Sequence, residues 1–159
     1  MEGMLEKVGE QYVVRFERKL KHPVELVWAV LTDPEKLVQW LAKADVELVA
    51  GGKYELRFQN TDSVMLGVVQ HAEAPNLLVY TWCNEGDEKA TVVRWELEAT
   101  EDGTLLVLTH TFDKPDALAS FMAGWHVHLD ILSSILNDIP MEWPWQRWEE
   151  WNKHYQHTL

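Results

Sequence analysis

The sequence predicts an α+β domain in which a curved antiparallel sheet closes over one long amphipathic helix. Three observations carry that reading. Residues 44 to 112 alternate apolar and polar side chains with period two, punctuated by turn residues, as a run of antiparallel strands requires. Residues 116 to 139 switch to helical spacing, with Leu118, Phe121, Met122, Trp125, Leu129, Leu132, Leu136 and Ile139 on one continuous stripe. At 159 residues, the chain has the length of a single domain able to bury a substantial core.

Taken in order, residues 1–10 read as an N-terminal extension, and YVVRFERKL (12–20) as a first strand with Val14, Phe16, Arg18 and Leu20 on one face. Pro23 opens a short helix carrying Val24, Val27, Trp28 and Leu31, and Asp33-Pro34 caps a second with Leu37, Trp40 and Leu41 on one face. DVELVA and KYELRF then flank Gly51-Gly52 as a hairpin, which puts Tyr54, Leu56 and Phe58 on one face. SVMLGVVQHA reads as one strand with a bulge at Gly67. Pro75-Asn76 turns the chain into LLVYTW, and TVVRWELEAT sets Val93, Trp95 and Leu97 against Arg94, Glu96 and Glu98. TLLVLTHTF follows with Leu106, Leu108, His110 and Phe112 inward. Pro140 stops the long helix, so residues 11–139 form the domain and 140–159 a tryptophan-rich helical extension.

The 14 basic and 26 acidic residues give a net charge of −12, which repels polyanions and argues against a nucleic-acid partner. Cys83 is the sole cysteine, so no internal disulfide forms. The start MEGMLEKVGEQ lacks the apolar run of a secretory signal, and no segment reaches the ~18 apolar residues of a membrane span. A cytoplasmic location is the expectation.

His126 and His128 stand two residues apart on the long helix, where such positions point about 200° apart and cannot chelate together. No metal and no cofactor is expected. His126 falls with Asp130 on the polar face, as a solvated contact. His128 lies at the edge of the stripe beside Trp125 and Leu132. It serves either as a hydrogen-bonded core residue or as a polar contact inside a pocket. Gly124 borders the same stripe and either lets the sheet or a ligand approach closely or serves as a packing glycine. No nucleophile elbow, Cys-x-x-Cys pair or phosphate loop is present, and Cys83 beside the acidic NEGDEK is expected to be inert, so no catalytic residue is assigned. Acid–base chemistry by His128, His110, Tyr54 or Tyr80 stays open as the alternative.

PVELVWAVLTDPEKLVQWL, GGKYELRF, LLVYTW, VVRWELEATEDGTLLVLTHTF and GWHVHLDILSSIL, in that order, resemble the START-like, birch-pollen-allergen-like (SRPBCC) superfamily. More narrowly, the chain resembles the family named for the activator of the ninety-kilodalton heat-shock protein's ATPase. The resemblance implies a helix-grip fold with two short helices between its first and second strands. It also implies a cavity between sheet and helix for a small hydrophobic or aromatic molecule (lipid, flavonoid or polyketide-like), held without catalysis, with a stress response as the setting. The pocket-facing positions would be Trp28, Tyr54, Phe58, Tyr80, Trp82, Trp95, Trp125, His128 and Leu132. The superfamily's cyclases and aromatases imply an alternative with His128 as acid or base. The named activator implies a chaperone-associated role, though this short chain has no room for a separate chaperone-binding domain.

The tail PMEWPWQRWEEWNKHYQHTL lies beyond the resemblance. As a helix it puts Trp145, Trp148, Trp151 and Tyr155 on one side and Gln146, Arg147, Glu150 and His154 on the other. With few cations on the polar face, it is expected to pack on its own domain or a second copy rather than on a membrane.

Overall fold

Strands rich in β-branched and aromatic residues build one sheet, and the stripe of large apolar side chains builds the helix that it covers. The computed structural model describes residues 3–58, 61–84, 86, 89–115, 117–139 and 143–158. The strands are β1 (Met4–Val8), β2 (Gln11–Leu20), β3 (Lys43–Val46), β4 (Tyr54–Phe58), β5 (Ser63–Leu66), β6 (Val69–Glu73), β7 (Leu77–Asn84), β8 (Thr91–Thr100) and β9 (Gly103–Phe112). The helices are α1 (Val24–Thr32), α2 (Pro34–Trp40), α3 (Leu118–Leu136) and α4 (Trp145–Thr158). The sheet is antiparallel with order β1-β2-β9-β8-β7-β5-β4-β3, and β6 also pairs with β7. With α3 against it, this is a helix-grip fold.

The inward sets of the long strands are buried as their alternation demands: Val14 and Phe16 on β2, Val93 and Trp95 on β8, and Leu106, Leu108, His110 and Phe112 on β9. Each of the large apolar side chains contributes about 1.5–3 kcal/mol by leaving water. Asp33 caps α2 by accepting the Glu35 N–H at 3.0 Å. The Trp40 indole donates to the Val30 carbonyl at 2.7 Å and the Tyr54 hydroxyl to the Leu31 carbonyl at 2.7 Å, so α1, α2 and β4 are pinned together.

The structure departs from the sequence expectations at five places. Residues 4–8, read as an extension, form an edge strand in register with β2, Met4 opposite Arg15 and Val8 opposite Gln11. The two short helices therefore lie between the second and third strands. MLEKV shows no clean alternation because only Leu5 packs on the core, while Glu6 and Lys7 stay in solvent, as suits a sheet edge. The hairpin around Gly51-Gly52 is wider than two residues: β3 stops at Val46, opposite Tyr54, and residues 47–53 form a loop. Gly51, at φ +87°, donates to the Val69 carbonyl there.

The strand through Gly67 is two strands rather than one bulged strand, and β5 and β6 both pair with β7. A Cβ at Gly67 would overlap the carbonyl oxygens of Thr81 and Tyr54, so only glycine permits that approach. The helix α3 ends at Leu136, leaving Ile139 exposed; Pro140, expected to stop the helix, lies outside the described residues. Finally, α3 is covered on two sides. His126, expected in solvent beside Asp130, is buried under α4, and Asp130 pairs instead with Arg147 at 2.6 Å.

Among the described residues no helix is long and apolar enough to cross a membrane. None of their His, Cys, Asp and Glu side chains form a cluster able to hold a metal ion.

Candidate ligand-binding cleft

The middle of the space between sheet and helix is filled. The Tyr54 and Tyr80 rings stack at 3.9 Å, and the Trp95 indole donates to the Tyr80 hydroxyl at 3.1 Å. Trp95 meets Trp40 edge-on at 6.0 Å and Trp125 at 5.5 Å. Burial pushes both phenols well above their ordinary pKa, so neither ionises near neutral pH.

Beside this filled interior the packing opens into a cleft of about 300 Å³. One wall is sheet, with Phe58, Ser63, Trp82 and Asn84, extended by Thr61 in the turn before β5; another is α3, with Ser120, Phe121, Gly124, Trp125 and His128; the third is Trp143, Trp145 and Trp148. The lining thus holds seven aromatic side chains and, among the described residues, no charged one. Its rings meet at aromatic distances: Trp82–Trp125 at 5.4 Å, Phe58–Trp82 at 5.9 Å and Trp143–Trp145 at 5.7 Å. Trp145 is 46% exposed, an unusually open indole at such a site. At Gly124 a Cβ would meet only Trp148 Nε1, at 3.9 Å, so the missing side chain widens the cleft. A smaller, more polar hollow of about 220 Å³ shares His128 and Trp143 with the cleft and has Trp40, Lys43 and Arg57 in its walls.

Two buried histidines brace the cleft in opposite tautomers. An indole N–H only donates, so the Trp125 Nε1 bond at 3.0 Å leaves His110 Nδ1 unprotonated. His110 Nε2–H then donates to Thr91 Oγ1 at 2.6 Å, and the Thr91 hydroxyl donates to the Trp82 carbonyl at 3.2 Å. This relay ties the Trp125 ring to β7, β8 and β9. His128 Nδ1 faces the Trp40 carbonyl at 2.9 Å, which only accepts, so here Nδ1 carries the proton. Burial lowers the pKa of His110 to about 3 and of His128 to about 4, so both are neutral at pH 7.

The third wall is held by α4. Trp151 stacks on His126 at 3.7 Å, and the buried Tyr155 hydroxyl accepts the Gly3 N–H at 2.9 Å and bonds His126 Nδ1 at 2.9 Å. The chain's two ends are thereby joined across α3. Burial, reinforced by the nearby Arg18 guanidinium, lowers the pKa of His126 to about 3.

Residues 21–137, well over half of the chain, match the family described as Activator of Hsp90 ATPase homolog 1-like protein. The chain belongs to that family. No curated protein matches it. Among solved structures, a Bordetella parapertussis protein is 30% identical with a TM-score of 0.79, covering 92% of this chain and 86% of that one. A Mesorhizobium loti protein is 27% identical with a TM-score of 0.72 over 81% of this chain and 99% of that one. CalU16 from Micromonospora echinospora is 24% identical with a TM-score of 0.77 over 98% and 96%, a likeness of fold that runs into the tail. The Activator of Hsp90 ATPase homolog 1-like match and these folds place the protein in the START-like superfamily.

Of the nine positions that the resemblance singles out, Phe58, Trp82, Trp125 and His128 come together around the cleft of this Activator of Hsp90 ATPase homolog 1-like protein. Tyr54, Tyr80, Trp95 and Leu132 lie in the filled interior, and Trp28 is half-buried on α1, away from the cleft. Sequence reasoning missed the third wall. The family match ends at residue 137, before Trp143, Trp145 and Trp148, and the tail's helical spacing, which put Trp145 and Trp148 on a face expected to pack on the domain or a second copy, did not show that they wall a cleft.

Proposed function

We propose that the protein holds a small, uncharged, largely aromatic molecule in this cleft and does no covalent chemistry on it. The supporting observation is a 300 Å³ space walled by seven aromatic side chains with no charge among the described lining residues. Flat π-faces at offset and edge-on angles suit a planar guest. The volume is at the lower end for ligand pockets, which favours a compact polyketide-like or flavonoid-like molecule of about two or three rings over a bulky lipid. A cytoplasmic setting accords with the single, partly buried thiol of Cys83. Titration with an aromatic library, followed by tryptophan emission, is expected to show saturable change from Trp82, Trp125 and the tail indoles. A Gly124→Leu variant, whose side chain enters the cleft, should show none. Flat emission in the parent protein across the library rejects the reading.

One observation favours an enzymatic second reading, of cyclase or aromatase type: His128 Nε2 is an acceptor on the cleft wall. Burial opposes the cation that proton uptake would form there, so this group is a weak base. If it is nonetheless catalytic, His128→Ala lowers turnover of a polyketide-like substrate by about 10² or more; unchanged turnover rejects the role.

A further inference from the structure

His128 leaves one polar atom of the cleft wall unsatisfied, and the chemistry of that atom narrows the guest. The residue is 8% exposed and its Nδ1–H is committed to the Trp40 carbonyl at 2.9 Å. The lone pair of the neutral ring is therefore on Nε2. The two nitrogens of an imidazole diverge, so Nε2 points away from that carbonyl. His128 lines both the cleft and the smaller hollow, whereas Trp40 lines the hollow and not the cleft. Among the described residues Nε2 has no hydrogen-bond partner, and unlike Trp143 Nε1 it is not sealed away from an incoming molecule. Among the described residues no cationic side chain lines the cleft to receive an anion, in a chain of net charge −12.

We infer that the cleft selects uncharged aromatic molecules that carry an O–H or N–H donor, and that His128 Nε2 accepts this donor. The inference rests on the cleft reading above. A guest without a donor leaves Nε2 desolvated and unpaired, and a site with a buried polar group discriminates strongly against a guest that cannot pair it. A guest that only accepts would require the ring to move its proton to Nε2 and give up the Trp40 bond. An anionic guest meets a lone pair and no counter-charge. The same geometry makes His128 a reader of ligand polarity, not a source of protons, because its proton faces the backbone.

Calorimetric titration of the intact protein with naphthol, naphthylamine, methoxynaphthalene and naphthoate tests this. Naphthol and naphthylamine are expected to bind about five- to tenfold more tightly than the methyl ether, the scale of one neutral hydrogen bond, with naphthoate weakest. Comparing the two donors shows whether O–H or N–H suits the site better. In His128→Leu the naphthol-to-ether ratio should fall to about one. His128→Gln, whose amide can donate to Trp40 and offer its own carbonyl, should keep part of it. Ratios are read within each protein, so a general loss of stability does not imitate the effect, and the parent protein alone suffices for the first comparison. Equal affinity for naphthol and its ether overturns the inference while the cleft reading stands. An undiminished ratio in the leucine variant overturns the assignment to His128. Failure of all four molecules to bind overturns the cleft reading and this inference with it.

Discussion

His110 and His128 occupy the same aromatic layer in opposite tautomers, and both are neutral because burial disfavours the cation. Their folded pKa values, about 3 and about 4, lie below the ordinary 6.5. The unfolded chain therefore takes up protons first as pH falls. The stability these residues contribute is complete above pH 6.5 and is lost as the pH drops through the window down to 3 or 4, at about 1.4 kcal/mol per residue per pH unit. Denaturant unfolding at pH 7.5, 6 and 5 should show this decline, and the ring resonances of both residues should not titrate above about pH 5. Titration near 6.5 would contradict the burial described here. Gly124 gives a second prediction at this scale. Its replacement by alanine meets only ordinary contact with Trp148 and removes a helix-interior glycine, so stability should rise by up to about 1 kcal/mol in thermal unfolding.

Among the elements, α4 decides most about the cleft, since the segment leading into it and its first turn supply a whole wall. Its attachment is uneven. The Arg147–Asp130 pair is partly exposed and worth at most about 1 kcal/mol, so Arg147→Ala should barely change stability. Tyr155 is fully buried and partners both Gly3 and His126. Tyr155→Phe leaves those groups unsatisfied and should cost about 1–3 kcal/mol, read as earlier amide exchange along α4 and as weaker binding in the cleft. Protection unchanged across α4 would show that the aromatic stack alone holds it.

For the whole molecule, binding and stability are linked. A guest present at about 100 times its dissociation constant adds about 2.7 kcal/mol. For a domain of this size that raises the melting temperature by roughly 5–10 °C. In Gly124→Leu the same guest should leave the melting temperature unmoved. A guest that shifts both proteins equally binds outside the cleft.

The sequence by itself determined the α+β class, the inward faces of β2, β8 and β9, and the stripe of α3. Each follows from a periodicity that local geometry imposes, and burial agrees with it at most of these positions, the exposed Ile139 and the half-buried Phe121 apart. It also put Phe58, Trp82, Trp125 and His128 among the candidate site positions by resemblance. Only the tertiary structure decided which aromatics fill the interior and which face open space, because Tyr54, Tyr80 and Trp95 have the same alternation as Trp82 and differ only in what packs over them. Strand β1 and the burial of His126 were likewise invisible along the chain, the irregularity at Gly67 did not show that the strand breaks in two, and the tail's tryptophan face did not show that it walls a cleft. Each depends on contact between residues distant in sequence, Gly3 with Tyr155 and Gly67 with Thr81 among them, and one-dimensional periodicity does not encode such contacts.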